Sequence, residues 1–475
     1  MIFNEIKKNS EKVAIITESV HITYNEIYMQ YERLLSIFKG KNLILFVSIN
    51  SVEAITGYLA FLNCEQVPLM VEGNLKKEEI ENLENIYKPE FLYLPYKYLK
   101  NYKTYTIVYN YKDYVLAKTN HVNSEEIFPE LALLLPTSGS LGSKKYVRQS
   151  YNNILQNAIA IVEYLNINKN EKPILTLPIN YTYGLSIVNS HVLVGATLLL
   201  SEKKIIQKEF WDFFEREQAT SFSGVPYTYE ILKKIGFLNK KYKHLKTLTQ
   251  AGGKLKEELQ KEFTQYVLQN KKNFYIMYGQ TEATARMTYL PCHEILDKFG
   301  CVGKVIPGGE IEILDYNGTS ILSELIEGEV IYKGDNVSLG YANCRKDLCM
   351  GNVWNGVLMT GDIGYKDADG YLYITGRKKR FIKLYGKRYN LDEIENKISL
   401  KYNIELCCVG NDESIILYLL NQNLLLKEEI IDYIYREMKI FPRNIFVRGI
   451  TEIPRSSSGK VEYNNLNRNF VMYKK

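Results

Sequence analysis

The 475-residue chain reads as an α/β protein of layered, mostly parallel sheets. Two observations predict this class. Short, buried strand-like runs alternate with amphipathic helix-like runs along most of the chain. From about 300 to 375 the texture turns β-rich, and a small α+β pattern follows a basic run. No repeat with the spacing of a solenoid interrupts that order.

KPILTLPI, ATLLLS, TSFSGVP and NFYIMYG have the length and apolar content of buried strands. NILQNAIAIVEYL, KEFWDFFEREQ, YTYEILKKI and KEELQKEFTQYV place apolar residues at helical spacing between them. EIEILD, GEVIYKG and GYLYITG are strands joined by Gly and Asp turns. After Arg377 come KKR and then LDEIENKISLKY, IELCCVG, IILYLL, EEIIDYIYREM and NIFVRG, a small α+β module. The expected division is a large domain over 1–378 and a small one over 379–475.

Composition excludes several functions. The chain is 46% hydrophobic, which excludes disorder. A formal charge of +6 is small for this length and argues for neither nucleic acid nor a membrane surface. MIFNEIKKNSEK has no apolar core, so no signal peptide is expected. IVNSHVLVGATLLL, broken by Asn189, Ser190, His191 and Gly195, is too short and too polar to span a bilayer. The seven cysteines form no CxxC and read as thiols of a reducing compartment, hence a cytoplasmic protein. Five scattered histidines argue against a His-based metal site or a Ser/His/Asp triad. The 39 tyrosines fit an AT-rich codon bias, so single tyrosines carry little functional information.

LLLPTSGSLGSKKYV (133–147) places Thr137, Ser138, Gly139, Ser140, Gly142 and Lys145 behind an apolar strand. A glycine-rich turn between strand and helix can point successive N–H groups into one concavity and hold an anion. The spacing of Gly139 and Gly142 does not fit a Walker A loop. Taken alone, the stretch suits a phosphate loop or a solvated turn equally. YGQTEAT (278–284) sets Thr281 beside Glu282 after a strand. TGDIGY (360–365) puts Asp362 in a tight turn, where a carboxylate could accept from a ribose diol. ITGRKKRFIKLYGKR (374–388) is basic, and IPRSSSGKVEYNNL (453–466) holds Lys460 on a small-residue loop.

In this order the motifs resemble the adenylate-forming superfamily: acyl-CoA synthetases, adenylation domains of peptide synthetases, and luciferases. ITYNEI (22–27), GYLAFLNCEQVPLM (57–70), SGVPYTYEIL, QAGGKL, VGKVIPGGEIEI and GEVIYKGDNVSLGY fit between the stronger motifs, so the resemblance covers almost the whole chain. It resolves 133–147 as a phosphate loop. That loop departs from the family pattern: Leu141 replaces a hydroxyl, Lys144 a proline and Tyr146 a glycine.

The resemblance implies two half-reactions. A carboxylate attacks the α-phosphorus of ATP, giving an acyl-adenylate and pyrophosphate; a thiol then takes the acyl group. Thr137, Ser138, Gly139, Ser140, Gly142 and Lys145 would hold the β- and γ-phosphates. Thr281 would contact the α-phosphate, Glu282 help hold Mg²⁺, and Tyr278 stack on adenine. Asp362 would bind the ribose hydroxyls with Arg377 nearby. Lys460 would bridge the substrate carboxylate and the phosphate, a task suited to a mobile point charge. Lys379 falls at the hinge about which the small, mobile domain turns, and Gly386 on the loop flanking the pantetheine tunnel.

By the same resemblance the acid pocket forms from 181–186, 223–227, 250–253 and 275–277, with Tyr181, Thr182, Val225, Gly252 and Gly253 among its residues. Amino-acid-activating relatives carry an Asp at the position of Thr182. A threonine cannot neutralise an ammonium, which points to an uncharged acyl or aryl tail. No carrier attachment motif follows Lys460, so the thiol is expected from CoA or a separate carrier protein bearing phosphopantetheine. The altered phosphate loop leaves one other class, a catalytically silent nucleotide-binding relative acting as sensor or scaffold. Retained Glu282, Asp362, Arg377 and Lys460 argue against it.

Overall fold

The structure is a computed structural model describing residue 3 and residues 6–8, 10–99, 105–137, 145–455, 461–463 and 465–466. Its chain divides into two compact units. The larger takes in the described residues within Met1–Thr137, Ser143–Glu310 and Tyr332–Leu358; the smaller includes those within Ile311–Ile331 and Met359–Lys475. The smaller unit therefore begins upstream of the basic run at Lys378 and Lys379 and takes in part of the β-rich segment.

In the larger unit one sheet runs in the order Gly340–Ala342, Tyr146–Ser150, Leu131–Pro136, Val67–Glu72, Leu43–Ser48, Phe91–Pro95, Tyr114–Lys118 and Thr106–Tyr111. Its central strands, from Leu131–Pro136 to Phe91–Pro95, are parallel. They are unbroken apolar runs, as parallel strands covered on both faces must be. A second sheet contributes, in order, Cys301–Val305, Thr288–Pro291, Asn273–Tyr278, Thr247–Gln250, Ser221–Gly224, Pro173–Ile174, Leu198–Leu199, Val13–Ile16 and His21–Thr23. From Asn273–Tyr278 to Val13–Ile16 its neighbours are also parallel.

Helices Val52–Asn63 and Thr182–Leu193 are buried on almost every face, which is why their sequences lack a polar stripe. Ile55 and Val188 share one core with Phe46 and Leu133 of the first sheet and Ile15 and Leu198 of the second. Tyr58 ties the two helices together by donating to Asn189 Oδ1 at 2.9 Å. The polar residues of Thr182–Leu193 are satisfied inside the core. Ser186 and Ser190 donate to the carbonyls of Tyr183 and Ser186 at 2.7 and 2.8 Å, and His191 Nδ1 lies 2.8 Å from the Ile187 carbonyl. Helix Tyr151–Leu165 packs beside it and starts on a reciprocal cap: Ser150 Oγ accepts from the Asn153 amide and Asn153 Oδ1 from the Ser150 amide.

In the smaller unit, Val357–Lys366 pairs antiparallel with Leu372–Arg377. The hairpin Phe381–Leu384/Lys387–Asn390 turns on Tyr385 and Gly386, both at positive φ (52° and 78°), as a two-residue primed turn requires. Helices Leu391–Tyr402 and Lys427–Met438 cover a sheet of Leu406–Gly410, Ile415–Leu420 and Ile445–Ile450 around Ile394, Ile398, Leu417 and Ile434. Among the described residues no helix is long and apolar enough to cross a membrane.

Burial pushes the His191 imidazole down to about 4, whereas an unfolded histidine titrates near about 6.5. Between those values the unfolded chain binds a proton that the folded chain refuses, so stability falls as pH drops through the window. From pH 7 to pH 5 this histidine is expected to remove about 2 kcal/mol of stability. Urea unfolding of wild type and His191→Asn across that interval checks it: equal acid losses in both would refute the assignment.

Candidate active site

The strand Leu131–Pro136 ends at Thr137, whose amide donates to the Lys145 carbonyl at 3.3 Å. This bond closes the base of the glycine-rich stretch, because Pro136 and Tyr146 face each other in an antiparallel ladder. The sequence suggests a loop leading into a helix. The structure instead leads it into the strand Tyr146–Ser150, with Tyr151–Leu165 beginning beyond it. The reason is that YVRQS is buried throughout and paired on both edges. Tyr146 is a core residue, edge-to-face on Tyr87 with centroids 5.4 Å apart. Ser138, Gly139, Ser140 and Gly142 lie outside the described residues.

Strand Asn273–Tyr278 delivers Tyr278 at its end and the 3₁₀ turn Thr281–Ala283 just beyond. Gly279 is required there: a Cβ would lie 1.9 Å from the Ala285 carbonyl oxygen. Glu282 Oε1 accepts from the Tyr341 hydroxyl at 2.8 Å, and Lys145 Nζ stands 5.4 Å from the centroid of the same ring. Tyr341 thus brings Lys145, at the base of the glycine-rich stretch, and the metal-candidate carboxylate to one side chain. Burial, and then Glu282, push its phenol pKa up, keeping it a donor. Nothing in the sequence distinguishes this tyrosine from the others.

Tyr341 is placed by Arg148. This arginine is fully buried in strand Tyr146–Ser150 and donates to the carbonyls of Leu339, Tyr341, Met350 and Gly351. The turn after Glu282 is braced in the same way. Asn336 Nδ2 donates to the carbonyls of Ala283 and Arg286, each at 3.0 Å, and Asn336 Oδ1 accepts from Tyr332 at 2.9 Å. Thr284, at φ +62°, donates through Oγ1 to the Asn336 carbonyl at 2.7 Å. A threonine in that region costs roughly 1–3 kcal/mol and persists only where its surroundings fix it.

The pocket segments expected from the sequence converge. A Cβ on Gly252 (φ +87°) would lie 2.4 Å from the Tyr181 hydroxyl and 3.3 Å from Val225 Cγ1; one on Gly253 would lie 3.2 Å from Pro226 Cγ. Thr182 donates to the Thr284 carbonyl. Together with Asn157, Ser186 and Asn189 it lines a cavity of about 10 Å³, room for one water. Asn157 Oδ1 is buried without a hydrogen-bond partner among the described residues. The sequence reading missed Arg286. The residue is 2% exposed; its guanidinium sits 4.1 Å from the Tyr183 ring centroid and reaches Ser186 Oγ at 3.1 Å and Met277 Sδ at 2.6 Å. Only its position in the fold distinguishes it from the other basic residues.

In the smaller unit Asp362 and Arg377 are ladder partners, and Arg377 Nε donates to Asp362 Oδ1 at 3.1 Å. Asp362 is buried within the strand Val357–Lys366. The tight turn expected at TGDIGY is therefore a strand whose register shifts between Ile363 and Gly364. That bulge, with Gly361 at φ +72°, mimics a turn in sequence. Lys379 lies exposed in the 3₁₀ turn Lys378–Arg380. Its neighbours are anchored. Lys378 pairs with Glu329 at 2.7 Å; Arg380 pairs with Asp392 and Glu395 at 2.7 Å each. Gly386 occupies the hairpin turn. Lys460 lies outside the described residues.

No group of three or more potential metal ligands occurs among the described residues. Among the described residues around Tyr341, Glu282 offers a carboxylate, oriented by the Tyr341 hydroxyl. That donor set fits Mg²⁺, which commonly takes one or two carboxylates and completes its shell with substrate phosphates and water.

A carboxylate oriented by Tyr341, with Lys145 of the glycine-rich stretch at the same ring and a glycine-walled pocket nearby, is an arrangement that suits an enzyme activating acids with a nucleotide. The AMP-binding enzyme family matches residues 2–342, and the chain belongs to it. The 2-succinylbenzoate–CoA ligase of Oceanobacillus iheyensis is 26% identical over 73% of this chain and 72% of its own. That of Staphylococcus epidermidis is 25% identical over 96% and 95%. Among solved structures, the o-succinylbenzoate CoA synthetase of Bacillus subtilis in complex with the acyl-adenylate intermediate matches with a TM-score of 0.79. It shares 22% identity, with 98% of this chain and 97% of that one covered. The reaction is ATP-dependent activation of a carboxylic acid to an acyl-adenylate, followed by transfer to a thiol.

Gly252→Ala is expected to cost about 1–3 kcal/mol by forcing the Tyr181 ring aside at a left-handed backbone position. Urea titration gives the value, and an unchanged unfolding midpoint would show that the two do not meet.

Proposed function

We propose that the chain is an AMP-forming acid–CoA ligase of the cytoplasm, acting on an acyl or aryl acid without an α-ammonium. The carrying observation is the Lys145–Tyr341–Glu282 group, which sets a cation and a carboxylate beside the phosphate-loop base. CoA as the thiol is supported by the names of the relatives. Seven cysteines, none of them in a disulfide among the described residues, suit a reducing compartment.

In the first step a carboxylate oxygen bonds to the α-phosphorus of ATP and pyrophosphate leaves. Both reactants are anions, so the protein must supply positive potential. Lys145 and the loop residues Thr137, Ser138, Gly139, Ser140 and Gly142 hold the leaving phosphates. Thr281 donates its hydroxyl to the α-phosphate, and Tyr278 stacks on adenine. Asp362, oriented by Arg377, accepts from the ribose hydroxyls. Lys460 steadies the attacking carboxylate. Mg²⁺, when bound by Glu282 and the phosphates, neutralises charge there. Tyr181, Thr182, Val225, Gly252 and Gly253 shape the acid pocket.

In the second step the CoA sulfur bonds to the acyl carbon and AMP leaves. Lys379, exposed between the anchored Lys378 and Arg380, serves as the pivot between the two steps, and Gly386 flanks the pantetheine. An α-ammonium is excluded because Thr182 offers no carboxylate to neutralise it.

The direct test is a carboxylate panel scored by pyrophosphate release, with hydroxylamine capture of the acyl-adenylate. Acyl or aryl acids are expected to be captured and free α-amino acids to fail. Efficient turnover of amino acids alone would overturn the reading. Lys460→Ala is expected to lower adenylation about 100-fold or more while sparing thioester formation from synthetic acyl-adenylate. Equal loss in both half-reactions would remove its first-step role.

A further inference from the structure

Arg286 is a buried charge that the two half-reactions leave unused. Its contacts are the Ser186 hydroxyl, the Met277 sulfur and the Tyr183 ring. None is an anion, and no ion pair of the described residues includes Arg286. A guanidinium is a planar cation with no acceptor of its own. Leaving such a charge buried and unpaired costs several kcal/mol, a cost that an anionic ligand would offset.

The placement says which ligand. Tyr183 and Ser186 belong to one expected pocket segment and Met277 to another. Ser186 spends its proton on the Tyr183 carbonyl at 2.7 Å, so its oxygen is left to accept from Arg286. The guanidinium is thereby oriented from one edge while the Tyr183 ring supports it. A planar cation held this way suits a planar carboxylate.

We propose that Arg286 receives a second carboxylate, carried in the tail of the acid, and that the substrates are dicarboxylic acids. This rests on the proposed ligase function and deepens it. The carboxylate nearer the nucleotide is activated; the one on Arg286 is held as an anion and stays unreacted. Thr182 excludes a cationic tail, and Arg286 goes further by asking for an anionic one in place of an uncharged one.

The test uses matched pairs: succinic, glutaric, adipic, phthalic and 2-succinylbenzoic acids, each against its monomethyl ester, scored by pyrophosphate release from the full chain. The ester keeps the shape and loses one charge. For at least one pair the diacid is expected to exceed its ester about 100-fold in kcat/KM. Arg286→Gln should bring that ratio to within about 3-fold, and Arg286→Lys should retain more of it than Gln does. Esters matching their diacids in the wild type, or a ratio unchanged in Arg286→Gln, would overturn the proposal. The wild-type ratio decides it even where a variant fails to fold. Activation of simple monoacids such as benzoate, with every diacid inert, would sink the inference and leave the ligase function standing. Inertness of every acid would sink both.

Discussion

The larger unit's candidate site depends on a guanidinium spent entirely on backbone carbonyls. Arg148 gives its N–H groups to backbone carbonyls at 339, 341, 350 and 351, holding that segment against the strand that follows the glycine-rich stretch. Gly340, at φ +117°, is needed where the chain passes the guanidinium: a Cβ there would lie 3.2 Å from Nη2. The segment carries Tyr341, and Tyr341 reaches Glu282. Desolvation lowers the pKa of Arg148, which is the cost of placing a full charge among carbonyl dipoles alone. The return is a fixed distance between Tyr341 and the strand that begins one residue beyond Lys145.

Much of this was legible in the sequence because strands and glycines leave strong local traces. The apolar runs, the alternation with helices and the hydroxyl–carboxylate pair at 281 and 282 all occur where local pattern places them. TGDIGY misled because Gly361 and the register shift carry turn chemistry inside a strand. A bulge differs from a turn only in what pairs across it, which is a long-range fact. Arg148, Arg286 and Tyr341 were illegible for a related reason. Each is an ordinary residue in a sequence with 60 basic residues and 39 tyrosines, and its meaning comes from burial and partners distant in the chain.

The smaller unit uses its charges differently. Arg380 pairs with Asp392 and Glu395, donates to the Cys408 carbonyl at 2.7 Å and lies 3.8 Å from the Tyr463 ring centroid. Here the cation has carboxylates, and its pKa is raised even though burial opposes it. A buried cation held by carboxylates, as at Arg380, or by carbonyls, as at Arg148, serves as an anchor; the contacts of Arg286 are a hydroxyl, a thioether and a ring, the ground on which a counter-ion is proposed for it.

Asn336 holds the carbonyls of both Ala283 and Arg286, so the backbone between the metal-candidate glutamate and the buried arginine has an anchor other than the side chain at 286. That separation bears on how such an enzyme diverges. Position 286 can exchange its chemistry in descendants of this gene while the peptide that presents Glu282 stays where it is. Acceptance of new acids is then open to single substitutions that spare the nucleotide half of the reaction, and a lineage can sample substrates without first losing catalysis.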